Sequence, residues 1–164
     1  LLEARKISLR SGVFRLINDI RAAGLRMAIA TASTTENVTT LLTQTFGCES
    51  LSWFECIATG DLVLDKKPDP AVFNYCLTQL ALPASDCLVI EDSGIGVKAA
   101  IAAGIPTIVT FNNYTKEDDF SGALSVFDQL GESTQISEQH HGCPIKGCYV
   151  TLEDLKAVHA SDQV

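Results

Sequence analysis

The segment CLVIEDSGIGVKAAIAAGIPTIVT, residues 87–110, carries the pattern that decides the fold. The short apolar run Cys87–Ile90 predicts a buried parallel strand. A helix is predicted over Ser93–Ala103, and Gly104 closes it. The run Thr107–Thr110 then predicts the next strand. A strand, a helix and a second strand in this order are typical of a parallel βαβ unit.

The same alternation extends on both sides of this unit. Upstream we predict a helix capped by Ser11 and ended by Gly24, a strand over Met27–Ala30, a helix capped by Thr34 or Thr35 and ended by Gly47, a strand over Phe54–Thr59, and a helix that begins at Asp69 and Pro70. Downstream, Ser125–Phe127 is predicted as a further strand. The order predicts an α/β fold with a three-layer, doubly wound, mainly parallel sheet.

The last part of the sequence has a different composition. The segment Gln129–Gly147 is polar and predicts a long surface loop, and Thr151 is expected to cap a helix over Leu152–Ala160. We therefore assign residues 132–164 to a polar loop plus a C-terminal helix. A metal site formed by His140, His141, Cys143 and Cys148 is disfavoured, because their spacing fits no common zinc pattern. A flexible loop with incidental thiols is the preferred interpretation.

Charge and hydropathy exclude several functional classes. The 164 residues carry 12 Lys and Arg against 20 Asp and Glu, a formal net charge of −8. That balance argues against a nucleic-acid surface or an anionic membrane patch, which need clustered basic residues. No apolar run approaches the roughly 20 residues of a membrane helix. No basic-then-apolar signal peptide opens the chain. From the charge balance and the hydropathy together, we expect no nucleic-acid or membrane partner.

Cysteine usage indicates a reducing compartment. Of the six cysteines, Cys48, Cys56, Cys76 and Cys87 fall in or beside apolar segments, as buried free thiols do. Without a secretory signal we predict free thiols and a cytoplasmic location, with the plastid stroma as the alternative in a photosynthetic eukaryote.

Two polar groups that follow predicted strands suit an anionic ligand. In an open α/β sheet, ligands bind at the carboxyl ends of the strands. Thr31-Ala32-Ser33 follows Met27–Ala30 and offers a hydroxyl and backbone N–H groups, although helix capping by Ser33, Thr34 or Thr35 is the simpler interpretation from the spacing alone. Lys67 is followed by two prolines in KKPDP, residues 66–70, which stiffen the backbone around it. It is able to meet a phosphate, although a solvated turn is the simpler interpretation.

A third group suits a cation. Glu91 and Asp92 stand side by side directly after the strand Cys87–Ile90, and two adjacent carboxylates repel each other. A divalent cation with a preference for oxygen ligands, such as Mg²⁺, would relieve that repulsion. In the alternative, one carboxylate faces solvent and the other caps the next helix.

Taken together, the three groups resemble the second, third and fourth motifs of the haloacid dehalogenase superfamily. The similarity extends over Leu9–Gly131 and is strongest to the CbbY-like and β-phosphoglucomutase-like branch. The segments that carry it are LRSGVFRLI, MAIATAST, GDLVLDKKPDPAVF, LVIEDSGIGVKAAIAAGIPTIVT and YTKEDDF. The resemblance implies a Rossmann-type core over residues 1–131, in which residues 1–10 return from a cap domain.

The resemblance also implies an activity and a role for each site residue. It implies a magnesium-dependent phosphatase that acts on a small sugar phosphate, such as xylulose bisphosphate, through an aspartyl-phosphate. The implied roles are phosphate binding by Thr31, Ala32, Ser33 and Lys67, catalysis by Thr31 and Lys67, magnesium binding by Glu91 and Asp92 with Asp92 the more direct ligand, and helix capping by Ser93. A phosphosugar mutase and a non-catalytic phosphate-binding relative are the alternatives.

One family motif has no counterpart in the sequence. The pattern D-x-D-G-[TV], which supplies the nucleophile on the opening strand of these enzymes, does not occur in residues 1–164. We therefore expect a core that is incomplete at its N-terminus, with exposed pairing edges where a central strand belongs. We also expect no turnover by this chain alone. Its oligomeric state is left open.

Overall fold

A computed structural model describes residues 8–162 of the chain. The helices are α1 Val13–Ala22, α2 Thr35–Phe46, α3 Ala71–Leu80, α4 Gly94–Ala102 and α5 Leu152–Ser161. The strands are β1 Ala28–Ala30, β2 Cys56–Ala58, β3 Val89–Glu91, β4 Thr107–Thr110, β5 Ser125–Phe127 and β6 Gln139–Gly142. The predicted α/β alternation is confirmed, because every predicted helix and strand has a counterpart at or near its expected position.

The strands form two separate pieces of sheet. The strands β1 and β2 pair in parallel, and β3, β4 and β5 form a second parallel ladder to which β6 adds in the antiparallel direction. The mainly parallel arrangement is as predicted. Within residues 8–162 no strand lies between β1 and β3, so each presents an unpaired edge toward the other. The expected exposed edges are therefore found in this part of the chain.

Helix capping follows the sequence at most helix starts. The hydroxyls of Thr34, Ser93 and Thr151 accept hydrogen bonds from the third helical N–H of α2, α4 and α5, respectively. The carboxylate of Asp69 accepts from the N–H of Ala71 at 2.9 Å, at the start of α3. The predictions for these four helices are confirmed.

The predicted cap of α1 is wrong. Gly12, not Ser11, is the N-cap of this helix, and no side chain caps it. Gly12 has φ +85°, and a Cβ at this position would lie 2.5 Å from the carbonyl oxygen of Gly131. The chain therefore turns into α1 through a glycine that is fixed by close approach to a neighbouring loop. Ser11 lies one residue too early to reach the first helical N–H groups.

The predicted long loop over Gln129–Gly147 is also wrong in part. Its residues Gln139–Gly142 form β6 and pair with β5 across a register irregularity between Val126 and Phe127. The sequence QHHG lacks apolar alternation because this edge strand is mostly exposed and is held by its backbone. His140 also packs edge-on against Phe111, with the ring centroids 5.0 Å apart.

Apolar side chains from the helices cover both faces of the sheet. One cluster joins α3 and α4 to β2 and includes Val72, Phe73, Leu80, Ala99 and Ala100. A second joins α1 and α5 to β4 and β5 and includes Leu16, Ile108, Phe127, Leu155 and Val158. A third joins α4 to β4 and β5 through Val97, Val109 and Val126. No helix among residues 8–162 combines the length and apolar character needed to span a bilayer.

The burial that the sequence predicts for four of the cysteines is confirmed only in part. Cys56 and Cys76 are buried with their sulfurs 3.7 Å apart, whereas Cys87 is half-buried. Cys48 is exposed, which corrects its expected burial. It opens a 3₁₀ helix, Cys48–Trp53, outside the three apolar clusters. Burial raises the pKa of the Cys76 thiol to about 12, so this group stays protonated at neutral pH.

Arg10 links the chain before α1 to the far side of the sheet. Its guanidinium donates to the carbonyl oxygens of Thr110 at 2.6 Å, Phe111, and Asp128 at 2.7 Å. These carbonyls belong to the ends of β4 and β5, where the ladder no longer provides partners. A single cation therefore holds together the carboxyl ends of two neighbouring strands.

We predict that Arg10→Ala lowers the free energy of unfolding by about 3 kcal/mol, because it leaves three carbonyls without a charged donor. Urea denaturation followed by circular dichroism measures the effect. The control is Lys116→Ala, which removes a cation whose nearest carboxylate, Glu117, is 4.0 Å away at the surface. A loss for Arg10→Ala no larger than that of the control would show that the three contacts are dispensable.

Candidate functional site

The carboxyl ends of β1 and β3 open onto one cavity of about 350 Å³. It is lined by Thr31 and Ala32 after β1, by Glu91 and Asp92 at the end of β3, and by Lys67 from the loop before α3. Three groups that are far apart in sequence are therefore brought together at one edge of the sheet. This is the edge at which open α/β sheets bind their ligands.

Ser33 is not part of the cavity lining. Its N–H donates to Thr31 Oγ1 at 3.1 Å, and its carbonyl accepts from the N–H of Gly60 at 2.8 Å. Thr34 caps α2, so neither Thr31 nor Ser33 is needed as the cap. Among the described residues, the hydroxyl of Thr31 accepts this bond but donates to no acceptor. Its proton is therefore free for a ligand oxygen.

Lys67 makes the central contact of the cavity. Its ammonium donates to the carboxylate of Glu91 and, at 3.1 Å, to the carbonyl oxygen of Ala30 at the end of β1. The side chains of Lys67 and Glu91 are only 9% and 8% exposed, so this ion pair is shielded from solvent. The ammonium also lies 4.7 Å from the ring centre of Phe73 on α3. Lys67 therefore ties the loop before α3 to both pieces of the sheet.

The position of Glu91 depends on a glycine in α4. A Cβ at Gly96 would lie 1.9 Å from Glu91 Oε2, so the carboxylate occupies the space above that glycine. The same oxygen accepts from the N–H of Asp92 at 3.3 Å. In the sequence, the glycines of the run Ser93-Gly94-Ile95-Gly96 are the signal for this close packing. The sequence alone assigned Gly96 no role.

Asp92 is exposed and is oriented by a residue that sequence analysis missed. Asn112 Nδ2 donates to Asp92 Oδ2 at 3.2 Å. The loop that carries Asn112 is closed on itself, because the N–H of Tyr114 donates to Asn112 Oδ1 and the N–H of Asn112 donates to Thr115 Oγ1. The signal in the sequence is the run TFNNYT, residues 110–115, in which two asparagines follow the end of β4.

Asp61 lies close to the cavity and contacts the start of α2. Its carboxylate accepts from the N–H of Thr35 at the start of α2. Hydrogen bonds from the Thr59 hydroxyl, and also from Thr35, hold the pKa of Asp61 below its usual range. Asp61 therefore fixes the start of α2 beside Thr31 and Ala32 rather than acting on a ligand.

The donor set at Asp92 fits a magnesium ion that keeps most of its waters. One oxygen of Asp92 is bound by Asn112, and the other has no partner among residues 8–162. Over the same residues, no group of three or more His, Cys, Asp and Glu is arranged to hold a metal. Mg²⁺ typically uses one or two carboxylates together with water and phosphate oxygens, so an open site of this kind suits it.

Comparisons with known proteins show the family of the chain. A family model described as haloacid dehalogenase-like hydrolase matches residues 2–110. The CbbY protein encoded on a plasmid of Cupriavidus necator is 41% identical over 154 residues, which cover 94% of this chain and 59% of that protein. The chain spans about half the length of the curated relatives it matches.

Two solved structures are similar in both fold and sequence. CbbY from Rhodobacter sphaeroides in complex with phosphate superposes with a TM-score of 0.73 at 37% identity, covering 76% of this chain and 55% of that one. A mutant of the same protein in complex with xylulose bisphosphate gives a TM-score of 0.72 at 36% identity, covering 77% and 57%. The haloacid dehalogenase-like fold expected from the sequence is confirmed.

We predict that Gly96→Ala lowers the free energy of unfolding by about 1–3 kcal/mol, because the new methyl group displaces the Glu91 carboxylate from a packed position. Helix propensity alone would favour alanine, so the sign of the change identifies the steric conflict. The control is Gly147→Ala, where no atom lies within 4 Å of the added Cβ. Urea denaturation measures both, and a stabilised Gly96→Ala variant would contradict the assignment.

Proposed function

Because the chain belongs to the haloacid dehalogenase-like hydrolase family, we propose that it forms the phosphate-binding and metal-binding part of a magnesium-dependent phosphatase. The observation that carries the proposal is the single cavity in which the Lys67 ammonium and the Asp92 carboxylate meet the start of the Thr31–Ser33 segment. A cation, hydroxyl and amide donors, and an exposed carboxylate at one strand edge are the groups that a phosphoryl group and its metal ion require.

In this proposal the chain's own residues bind and orient the phosphoryl group. The hydroxyl of Thr31 and the N–H of Ala32 donate to phosphate oxygens, and Ser33 supports them through its bond to Thr31. The ammonium of Lys67 neutralises charge on the transferring group. Glu91 holds that ammonium in place and excludes water from one side of it.

Magnesium binding is assigned to the same edge of the site. Asp92 is the direct ligand, oriented by Asn112, and Glu91 completes the predicted acidic pair from its position against Lys67. The bound ion would supply charge neutralisation and polarise the phosphoryl oxygens. Ser93 serves as the cap of α4 rather than as a ligand.

The nucleophile of the proposed reaction is an aspartate carboxylate in the family's D-x-D-G-[TV] pattern. That pattern does not occur in residues 1–164. In these enzymes an aspartate oxygen attacks phosphorus, the sugar oxygen leaves with a proton, and water then hydrolyses the aspartyl-phosphate. We propose that this chain alone does not turn over substrate. Its share of the reaction is to bind the phosphoryl group and neutralise its charge.

The proposed substrate is a small phosphorylated sugar. Support comes from the Rhodobacter sphaeroides relative, which is 36% identical and whose structure contains xylulose bisphosphate. A sugar bisphosphate of that kind is the first substrate to test in a complete enzyme.

We predict that Lys67→Met weakens binding of inorganic phosphate at least about tenfold, the equivalent of about 1.4 kcal/mol, because it removes the cation at the cavity. We also predict that Mg²⁺ strengthens phosphate binding and that Asp92→Asn abolishes this increase. Phosphorus NMR titrations measure both. The control is Lys98→Met, which removes an exposed lysine paired with Asp119 at 3.8 Å. Equal phosphate affinity for Lys67→Met and the parent chain would refute the proposal.

A further inference from the structure

We propose that Lys66 is a positioning residue of the phosphate site, which it shapes by holding Gly60 against the backbone of Ala32. We call residues 31–33 the phosphate turn, and residues 60–66, which follow β2, the 60–66 loop. The inference rests on the proposed function and deepens it, because it names a residue on which phosphate binding depends although that residue does not line the cavity.

The phosphate turn and the start of α2 are attached at three points to the chain that leaves β2. The contacts are the Thr31 N–H to the carbonyl of Ala58 at 2.9 Å, the Gly60 N–H to the carbonyl of Ser33 at 2.8 Å, and the Thr35 N–H to the carboxylate of Asp61 at 3.2 Å. The first contact continues the pairing of β1 with β2, and the other two lie beyond both strands. The shape of the turn therefore depends on the residues opposite it.

Gly60 packs directly against the phosphate turn. It is buried, and a Cβ at this position would lie 2.3 Å from the carbonyl oxygen of Ala32 and 2.9 Å from its carbonyl carbon. Gly60 is not among the glycines with positive φ, so the close approach, and not the backbone torsion, requires a glycine here. Any shift of residue 60 toward the turn therefore moves the peptide that joins Ala32 to Ser33.

The peptide between Ala32 and Ser33 determines the direction of the phosphate donors. Its N–H, which belongs to Ser33, donates to Thr31 Oγ1 at 3.1 Å. This bond occupies one lone pair of the hydroxyl and so limits where the hydroxyl proton points. Because the Thr31 hydroxyl and the Ala32 N–H are the donors assigned to phosphate, the position of Gly60 sets the geometry of the site. Donors that are already ordered lose less conformational entropy when phosphate binds.

Lys66 holds Gly60 in this position. Its ammonium donates to the carbonyl oxygen of Gly60 and, at 3.2 Å, to that of Val63. Among the residues that the structure describes, this ammonium pairs with no carboxylate. Hydrogen bonds from a charged donor are stronger than those between neutral groups. Lys66 therefore closes the 60–66 loop on itself and fixes the carbonyl of the residue that contacts the turn.

The two adjacent lysines have different tasks. Lys67 lines the cavity, where its ammonium donates to the carboxylate of Glu91 and to the carbonyl oxygen of Ala30 at 3.1 Å. Lys66 does not line the cavity, so it does not serve as a direct phosphate ligand. Because the two residues are neighbours in the chain, the 60–66 loop fixes the position of the Lys67 ammonium relative to the phosphate turn. A substitution at Lys66 thus changes phosphate affinity without removing a ligand.

Hydrogen exchange tests the contact in the absence of phosphate and Mg²⁺. In Lys66→Met the side chain keeps its approximate length and loses the ammonium. The amide of Gly60, measured by NMR, is expected to exchange at least about fivefold faster, because an amide loses protection when its local contacts open. The amide of Val89, which bonds to the carbonyl of Pro106 in the other piece of sheet, is the internal reference and is expected to keep its rate. Equal exchange at Gly60 in the variant and the parent chain would overturn the proposal.

Phosphorus NMR titration with inorganic phosphate then measures the effect on binding. We expect Lys66→Met to bind phosphate at least about fivefold more weakly, a difference of about 1 kcal/mol. The ratio is expected to persist at about 1 M KCl, where the Debye length of about 3 Å screens a distant charge. A loss that disappears at this salt concentration would mean that Lys66 only attracts the anion, and would overturn the proposal. The control is Lys98→Met, which removes an exposed lysine on α4.

An uncharged substitution separates position from charge. Gly60→Ala alters no charge but places a methyl group against the Ala32 carbonyl, so we expect it also to weaken phosphate binding at least about fivefold. The matched control is Gly147→Ala, where no described atom lies within 4 Å of the added Cβ. If Gly60→Ala does not fold, Lys66→Met decides the question, because its side chain is exposed.

The outcomes separate this role from the proposed function. Parent-like phosphate affinity in Lys66→Met, or in a folded Gly60→Ala, would overturn the role of these residues and leave the proposed function standing. A parent chain that binds no phosphate would refute both.

Discussion

The ion pair between Lys67 and Glu91 is the contact on which the site depends. Lys67 comes from the loop between β2 and α3, Glu91 ends β3, and the same ammonium reaches the carbonyl of Ala30 at the end of β1. No strand pairing joins the two pieces of sheet in the described residues, so these contacts hold their carboxyl ends together. A buried ion pair gains little net stability after desolvation, but removing one partner is costly. Its main effect here is therefore to fix positions.

The surroundings of this pair explain why polar chemistry and apolar packing lie so close together. Below it, apolar side chains of α1, α3 and α5 line the space between β1 and β3. Above it, Thr31 and Asp92 face the cavity where the strands end. Gly96 leaves room for the Glu91 carboxylate, and Asn112 orients Asp92. One edge of a parallel sheet thus collects donors, a cation and an exposed carboxylate without burying an uncompensated charge.

Local signals in the sequence were sufficient for most of the fold. Strands such as Thr107–Thr110 are short apolar runs between a glycine-closed helix and a polar turn, and capping residues such as Thr151 lie where the helix begins. The candidate site residues Thr31 and Asp92 were predicted because each stands directly after or near the end of a strand, and Lys67 because it adjoins a rigid Pro-Asp-Pro turn. Features that depend on tertiary contacts were missed. Asn112 acts through a partner 20 residues away, and β6 is held by its backbone rather than by an apolar pattern.

A double-mutant cycle on Lys67 and Glu91 tests the central claim most directly. The free energy of unfolding is measured by urea denaturation for the parent chain, Lys67→Met, Glu91→Gln and the double variant. If the pair holds the two pieces of sheet together, each single change is costly and the double change costs less than their sum by about 1–3 kcal/mol. Losses that add within about 0.5 kcal/mol would mean that the two side chains act independently and would contradict the account.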